Sequence, residues 1–247
     1  MAHSLKGKVA FVTGGSRGIG AAIAKHLARE GASVAITFTS QPDKADAVVK
    51  AIRADGGKAI AIKAEASDAD AVTAAVARAA KEFGGLDILV NNAAIASFAP
   101  VGEFALSEFD RMFAINVRAV FVAVQAALAH MGEGGRIINI GSVNADSMPI
   151  QGGAIYAMTK AAMAGLTRGM ARDLGPRGIT VNVVQPGPID TDMNPATGPF
   201  ADLLMKYLAV PRYAQVDEVA AFVTYLAGPQ AGYITGSGLN IDGGFDA

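Results

Sequence analysis

The chain has 247 residues, 51% of them apolar and 17% charged, with 29 glycines and neither cysteine nor tryptophan. Twenty-one Lys and Arg against 22 Asp and Glu leave a formal charge of -1, so no overall attraction to nucleic acid or an anionic membrane is built in. The absence of cysteine excludes disulfides, a thiol nucleophile and zinc-thiolate sites, and His3, His26 and His130 are too scattered for ordinary metal-ligand spacing. The longest mainly apolar stretch, 119–129, falls short of the roughly 20 residues that span a bilayer, and the N-terminus MAHSLKGK has no signal-peptide core. These features predict a soluble, cytoplasmic protein with no membrane or nucleic-acid partner. The length fits one α/β domain.

The apolar run 8–13 (KVAFVT), the helical pattern 18–30 and the apolar run 33–38 (SVAITF) predict a strand, a helix and a strand. Gly31 fits a helix C-cap. The pattern repeats with a helix at 43–54, a strand at 58–63, a helix at 68–83 and a strand at 86–90. A helix at 107–130, a strand at 136–140, a helix at 154–174, a strand at 180–184, a helix at 217–226 and a strand at 238–241 follow. Strands that are apolar throughout, separated by helices, predict a parallel sheet covered on both faces. The segment 185–213 is weakly patterned, with five prolines and two glycines. It follows a strand's carboxyl end, where open α/β sheets bind ligands, and is read as a substrate lid.

Between the first strand and first helix stands Thr13-Gly14-Gly15-Ser16-Arg17-Gly18-Ile19-Gly20. Glycines there let a pyrophosphate approach the backbone, and the helix N-terminus offers it free N–H groups. The second strand ends in Phe38-Thr39-Ser40 with no acidic residue before Asp43, and Arg17 adds a cation. An acid at that strand end would bind a ribose 2'-hydroxyl and repel a 2'-phosphate, so the sequence favours NADP(H) over NAD(H). A solvated loop arginine is the plainer reading of Arg17. Tyr156 and Lys160, four apart on a predicted helix, place an ammonium beside a phenol, which lowers a phenol pKa toward working range. Ser142 follows a strand's carboxyl end, where a hydroxyl can polarise a bound carbonyl.

TGGSRGIG at 13–20, NNAA at 91–94, Asn116, Ser142, YAMTK at 156–160, VNVVQPGPIDTDM at 181–193 and IDGG at 241–244 occur in order along essentially the whole chain. As a set they resemble the short-chain dehydrogenase/reductase family. The resemblance implies a single Rossmann-type, doubly wound domain spanning residues 1–247, with a seven-stranded parallel sheet, and a homotetramer. It implies that Tyr156 is the catalytic acid, that Lys160 lowers its pKa and holds the nicotinamide ribose, that Ser142 positions the carbonyl, and that Asn116 anchors a water leading from Lys160 to solvent. For the cofactor it implies Gly14, Ser16, Arg17, Gly18, Ile19 and Gly20 of the loop, then Thr39, Ser40, Glu65, Ala66, Asn91 and Ala93. Tyr156, Lys160, Pro186, Gly187, Ile189 and Thr191 complete that set.

Phe98, Met148, Ile150, Met193, Phe200 and Leu204 are candidates for an apolar substrate pocket, or equally for core and lid packing. Three departures stand out: Ala94 where the family commonly has glycine, Glu65-Ala66 where it commonly has Asp-Val, and a 14-residue step from Ser142 to Tyr156. The pattern is close to 3-oxoacyl-acyl-carrier-protein reductases, but Glu133 stands where those carry a basic residue, which favours a small or medium apolar ketone over a carrier-bound substrate. GGSRGIGAAI, GSVN and VVQPGPIDTD are also similar to a cyclic-di-GMP-binding biofilm-dispersal subgroup of the same family. The sequence therefore predicts an NADPH-dependent carbonyl reductase, with a cyclic-di-GMP-binding regulator as the alternative.

Overall fold

A computed structural model describes residues 4–198 and 200–247. His3, and Pro199 of the 185–213 segment, lie outside them. Among the described residues seven parallel strands form one sheet in the order β3-β2-β1-β4-β5-β6-β7. They are β1 (Val9–Val12), β2 (Ser33–Phe38), β3 (Lys58–Lys63), β4 (Ile88–Asn91), β5 (Arg136–Ile140), β6 (Thr180–Pro186) and β7 (Gly238–Ile241). The chain winds outward from β1 to β3, returns to lay β4 beside β1, and winds outward again to β7. This is the doubly wound Rossmann-type arrangement, and its direction reverses between β1 and β4, where a crevice opens at the carboxyl ends of the strands.

Continuous apolarity of the strands follows from burial on both faces. Ala10, Val12, Val34, Ile36, Ile88, Val90 and Ile138 point into one layer with α1 (Gly18–Arg29), α2 (Pro42–Ala54) and α8 (Val216–Ala227). Their sequence neighbours Val9, Phe11, Ala35, Leu89 and Ile137 point into the other, with α3 (Ala69–Phe83) and α5 (Ala119–Leu128). The period of two in the strand backbone sends successive residues to opposite layers.

Two departures from the sequence reading bear on function. The helix expected at 107–130 is α4 (Leu106–Phe113), a π turn at Ala114–Arg118, then α5. This helical run, Leu106–Leu128, has the length and apolarity to cross a membrane, but Val120, Ala123, Val124 and Ala127 of α5 are buried within this fold. The second departure lies in residues 185–213, which hold a short helix, α7 (Ala201–Met205), and isolated bridges joining Ile189 to Ala214 and Thr191 to Asn194. The remaining helix, α6 (Ala154–Leu174), runs as the sequence predicts.

Candidate active site

The crevice is a cleft of about 780 Å³ whose walls come from the carboxyl ends of the strands and the loops that follow. At its floor, Thr13 splices the two halves of the sheet. Its hydroxyl accepts from Asn92 N at 2.9 Å and Ala93 N at 3.0 Å. Asn92 returns the contact, its amide donating to Thr13 O at 2.9 Å and Gly14 O at 3.1 Å. The glycine loop is pulled tight over this clamp. Gly14 and Gly18 sit at φ +64° and +53°, a region that side chains disfavour. A Cβ on Gly15 would lie 2.6 Å from Ile36, and one on Gly20 would strike the Asn92 amide and Gly14 O.

Helix α1 starts at Gly18 with no side-chain cap from Arg17 and no acidic residue in its first turn. Its leading N–H groups are thus left for an anion. Thr39, Ser40, Glu65 and Ala66 border the same end of the cleft, and Ser16, Arg17, Ile19 and Ala93 line it too. The cradle therefore fits a dinucleotide.

At the other end, β5 delivers Ser142, buried, whose hydroxyl caps a short 3-10 turn by accepting from Asn144 N at 3.2 Å. Tyr156, in the first turn of α6, brings its phenol close to the Ser142 hydroxyl in the cleft wall. One turn on, Lys160 is 5% exposed and donates to Ile140 O at 3.0 Å, with Nζ 5.8 Å from the Tyr156 ring centroid. The expected lowering of the phenol pKa is not what this arrangement gives. Burial pushes Tyr156 up, partly offset by the Ser142 hydroxyl, and pushes the Lys160 ammonium down to about 8. The physical reason is desolvation, which disfavours the charged form of each group.

Asn116, 3% exposed, sits in the π turn, a helical irregularity common at functional sites. Its side-chain oxygen accepts from Ile95 N at 2.9 Å, and its amide donates to Ile95 O at 2.9 Å and Thr159 Oγ1 at 3.1 Å. Both amide hydrogens are thereby used. Asn116 pins the segment after β4 to α6 through Thr159, which stands between Tyr156 and Lys160 in sequence.

Pro186, Gly187, Ile189 and Thr191 border the cleft beyond β6. Gly187 has a visible reason: a Cβ there would lie 2.7 Å from Asp242 Cα, so the IDGG turn closes directly beneath it. Of the pocket candidates, Phe98, Ile150, Met193, Phe200 and Leu204 line the cleft. Phe98 packs its ring 5.9 Å from Tyr156 at 44°. Leu204 also anchors α7, in a small cluster with Val143, Leu208, Tyr213 and Phe245. Met148 is not part of the lining and packs instead against Gly153.

Asn91 is absent from the main cleft's lining but borders a small adjoining cavity with Thr13, Thr37, Ala66 and Ala93, and its amide donates to Asn139 Oδ1 at 2.9 Å. Its neighbour Asn92 in the NNAA motif is the one that supports the glycine loop. Strand parity decides between them, and it becomes readable only once β4 is known to end at Asn91.

A family model described as "Enoyl-(Acyl carrier protein) reductase" matches residues 14–246. A Serratia marcescens short-chain dehydrogenase/reductase superposes with a TM-score of 0.98 at 60% identity, over 99% of this chain and 100% of that one. The chain belongs to the short-chain dehydrogenase/reductase family. A Burkholderia cenocepacia short-chain dehydrogenase solved in complex with NADP matches with a TM-score of 0.98 at 54% identity, over 99% of this chain and 100% of that one. A protein of Escherichia coli K12 named as a cyclic-di-GMP-binding biofilm dispersal mediator is 48% identical over 241 residues, 98% of each chain. Among the described residues of this dehydrogenase/reductase, no group of three or more His, Cys, Asp or Glu could hold a metal ion. Arg111, Asn144, Asp192 and Phe245 also line the cleft; each is brought there by tertiary packing that no local pattern signals.

Proposed function

We propose that the protein is an NADPH-dependent carbonyl reductase, reversible as an alcohol dehydrogenase, acting on a small or medium apolar ketone or a 3-oxoacyl group. The observation that carries this reading is the convergence of Ser142, Tyr156 and Lys160 on one wall of the cleft whose other end is the glycine loop. Bound NADPH supplies the hydride. Tyr156, kept protonated by burial, gives its proton to the carbonyl oxygen as charge develops there. Ser142 donates to the same oxygen and holds it at the phenol. Lys160, as a cation behind the ring, stabilises the phenolate that remains. Asn116 acts through Ile95 and Thr159, holding the segment after β4 against α6.

Preference for NADPH rests on charge. No carboxylate stands at Phe38-Thr39-Ser40, and Arg17 borders the cleft beside those hydroxyls. The NADP complex of the Burkholderia relative supports it. An apolar ketone rests on Phe98, Ile150, Met193 and Phe200 at the lid end. The second reading, a cyclic-di-GMP-binding regulator, is favoured by the name of the Escherichia coli relative. The test is oxidation of NADPH and of NADH by purified protein over a panel of ketones that includes an acetoacetyl thioester, with cyclic-di-GMP binding measured on the same sample. Turnover with NADPH supports the reductase; no turnover together with tight cyclic-di-GMP binding supports the regulator.

A further inference from the structure

Asp192 lies just past the nicotinamide-side stretch, at the start of the lid segment. Its Oδ2 accepts a hydrogen bond from Lys44 Nζ at 3.0 Å and stands 3.8 Å from Arg17 Nη1. Arg17 belongs to the glycine loop, Lys44 to the first turn of α2 and Asp192 to the chain beyond β6. One carboxylate therefore draws together three segments that meet only at the mouth of the cleft, and both Arg17 and Asp192 line that cleft. The two cations hold the Asp192 carboxyl below the usual carboxylate range, Lys44 contributing most. All three side chains are about half exposed, so this contact adds little to stability and is easily exchanged for another anion.

The end of β2 carries no acid of its own. The negative charge nearest Arg17 is supplied instead by the lid. We propose that Asp192 is a specificity-determining residue for the cofactor: it serves as an internal counter-ion for Arg17 and Lys44 that a 2'-phosphate must displace and a 2'-hydroxyl need not. Two consequences follow. The position of the lid's first turn is tied to which cofactor occupies the cleft. Selection for the phosphorylated cofactor is also weaker than the two cations alone would give, because part of their attraction is already satisfied within the protein.

The inference rests on the NADP(H) reading above, and the experiment separates the two. Parent, Asp192→Asn and Asp192→Glu are titrated with 2'-phospho-ADP-ribose and with ADP-ribose at low and at high salt. Asp192→Asn is expected to bind the phosphorylated ligand about three- to tenfold tighter at low ionic strength, with the gain shrinking as salt screens it. ADP-ribose should change by less than about twofold, since it brings no phosphate to the exchanged position. Asp192→Glu, which keeps the charge, should behave as the parent. Equal affinities in parent and Asp192→Asn, or weaker binding of the phosphorylated ligand by Asp192→Asn, would overturn the proposal. If the parent itself binds 2'-phospho-ADP-ribose no better than ADP-ribose, it is the NADP(H) reading that fails.

Discussion

The floor of the cleft and the 185–213 segment, proposed as its lid, are built on opposite terms. On the floor, Thr13, Asn92, Asn116 and Lys160 hydrogen-bond mainly to backbone, Asn116 also to Thr159 Oγ1, and Asn116 and Lys160 are buried. Over residues 185–213 large apolar side chains stand exposed beside charged ones: Met193 is 57% exposed, Phe200 48% and Val210 50%, among Asp192, Asp202, Lys206 and Arg212. A floor tied by buried hydrogen bonds is held in place, whereas a segment resting on Leu204, Tyr213 and a few surface bonds is freer to adjust. Under the proposed function this difference assigns the proton and cofactor positions to the floor and the choice of ketone to the 185–213 segment.

The largest effect expected is at the floor. Gly20→Val drives a branched side chain into the Asn92 amide and the Gly14 carbonyl. Overpacking of this kind costs about 1–3 kcal/mol of stability, and here it also opens the loop. Thermal unfolding together with NADPH titration should show a lower midpoint and loss of measurable cofactor binding; a variant that binds normally would mean the loop is looser than the clamp implies.

Lys160 gives the next. Its pKa is lowered to about 8, so the group is charged below that pH and neutral above it. kcat/KM for reduction should fall as pH rises through about 8, while the phenol, whose pKa is raised, stays protonated throughout. The stability effect has the opposite sign: the penalty of burying the cation is fully present below about 8 and is relieved as pH climbs toward the ordinary lysine range. A reduction rate that stays flat up to pH 10 would remove the cation from the mechanism.

A smaller change is expected in the lid. Phe200→Ala removes a half-exposed apolar wall, so KM for an apolar ketone should rise several-fold, by about 1 kcal/mol of lost burial, with kcat and unfolding temperature nearly unchanged. Equal losses in kcat and kcat/KM would place Phe200 in the chemical step. Smallest of all is Glu218→Gln, in the first turn of α8 just beyond the 185–213 segment. Glu218 pairs with Arg212 at 2.8 Å and caps α8 through Gln215 N, which together hold its carboxyl near 2. That support is present above the usual carboxylate pKa and lost as pH falls toward 2; for so exposed a pair it amounts to under about 1 kcal/mol, read as a slightly lower midpoint at neutral pH.

The same contrast explains what the sequence made legible. The strands were readable to within about two residues because each is a short apolar run cut off by glycine or a polar turn, and α6 because its pattern runs unbroken. Glycine loop, Ser142, Tyr156 and Lys160 were readable because their chemistry needs fixed spacing next to strand ends. The π turn was hidden, since it is seated by bonds from Asn116 to Ile95 and Thr159 that form only in the fold. So was α7, too short to show a period and held by the Leu204 cluster. Met148 carries the right residue type but packs against Gly153, Asn91 borders an adjoining cavity, and Asp192 meets Lys44 across 148 positions of sequence.

The most direct test of the floor's assigned chemistry is a single comparison: turnover of one ketone with NADPH by parent and by Tyr156→Phe, with NADPH affinity measured for both. Removing the proton donor while leaving the cradle intact should keep affinity within about twofold and cut turnover by about a hundredfold or more. Turnover at the parent rate would show that Tyr156 is not the acid and that the wall it shares with Ser142 and Lys160 does not carry the reaction.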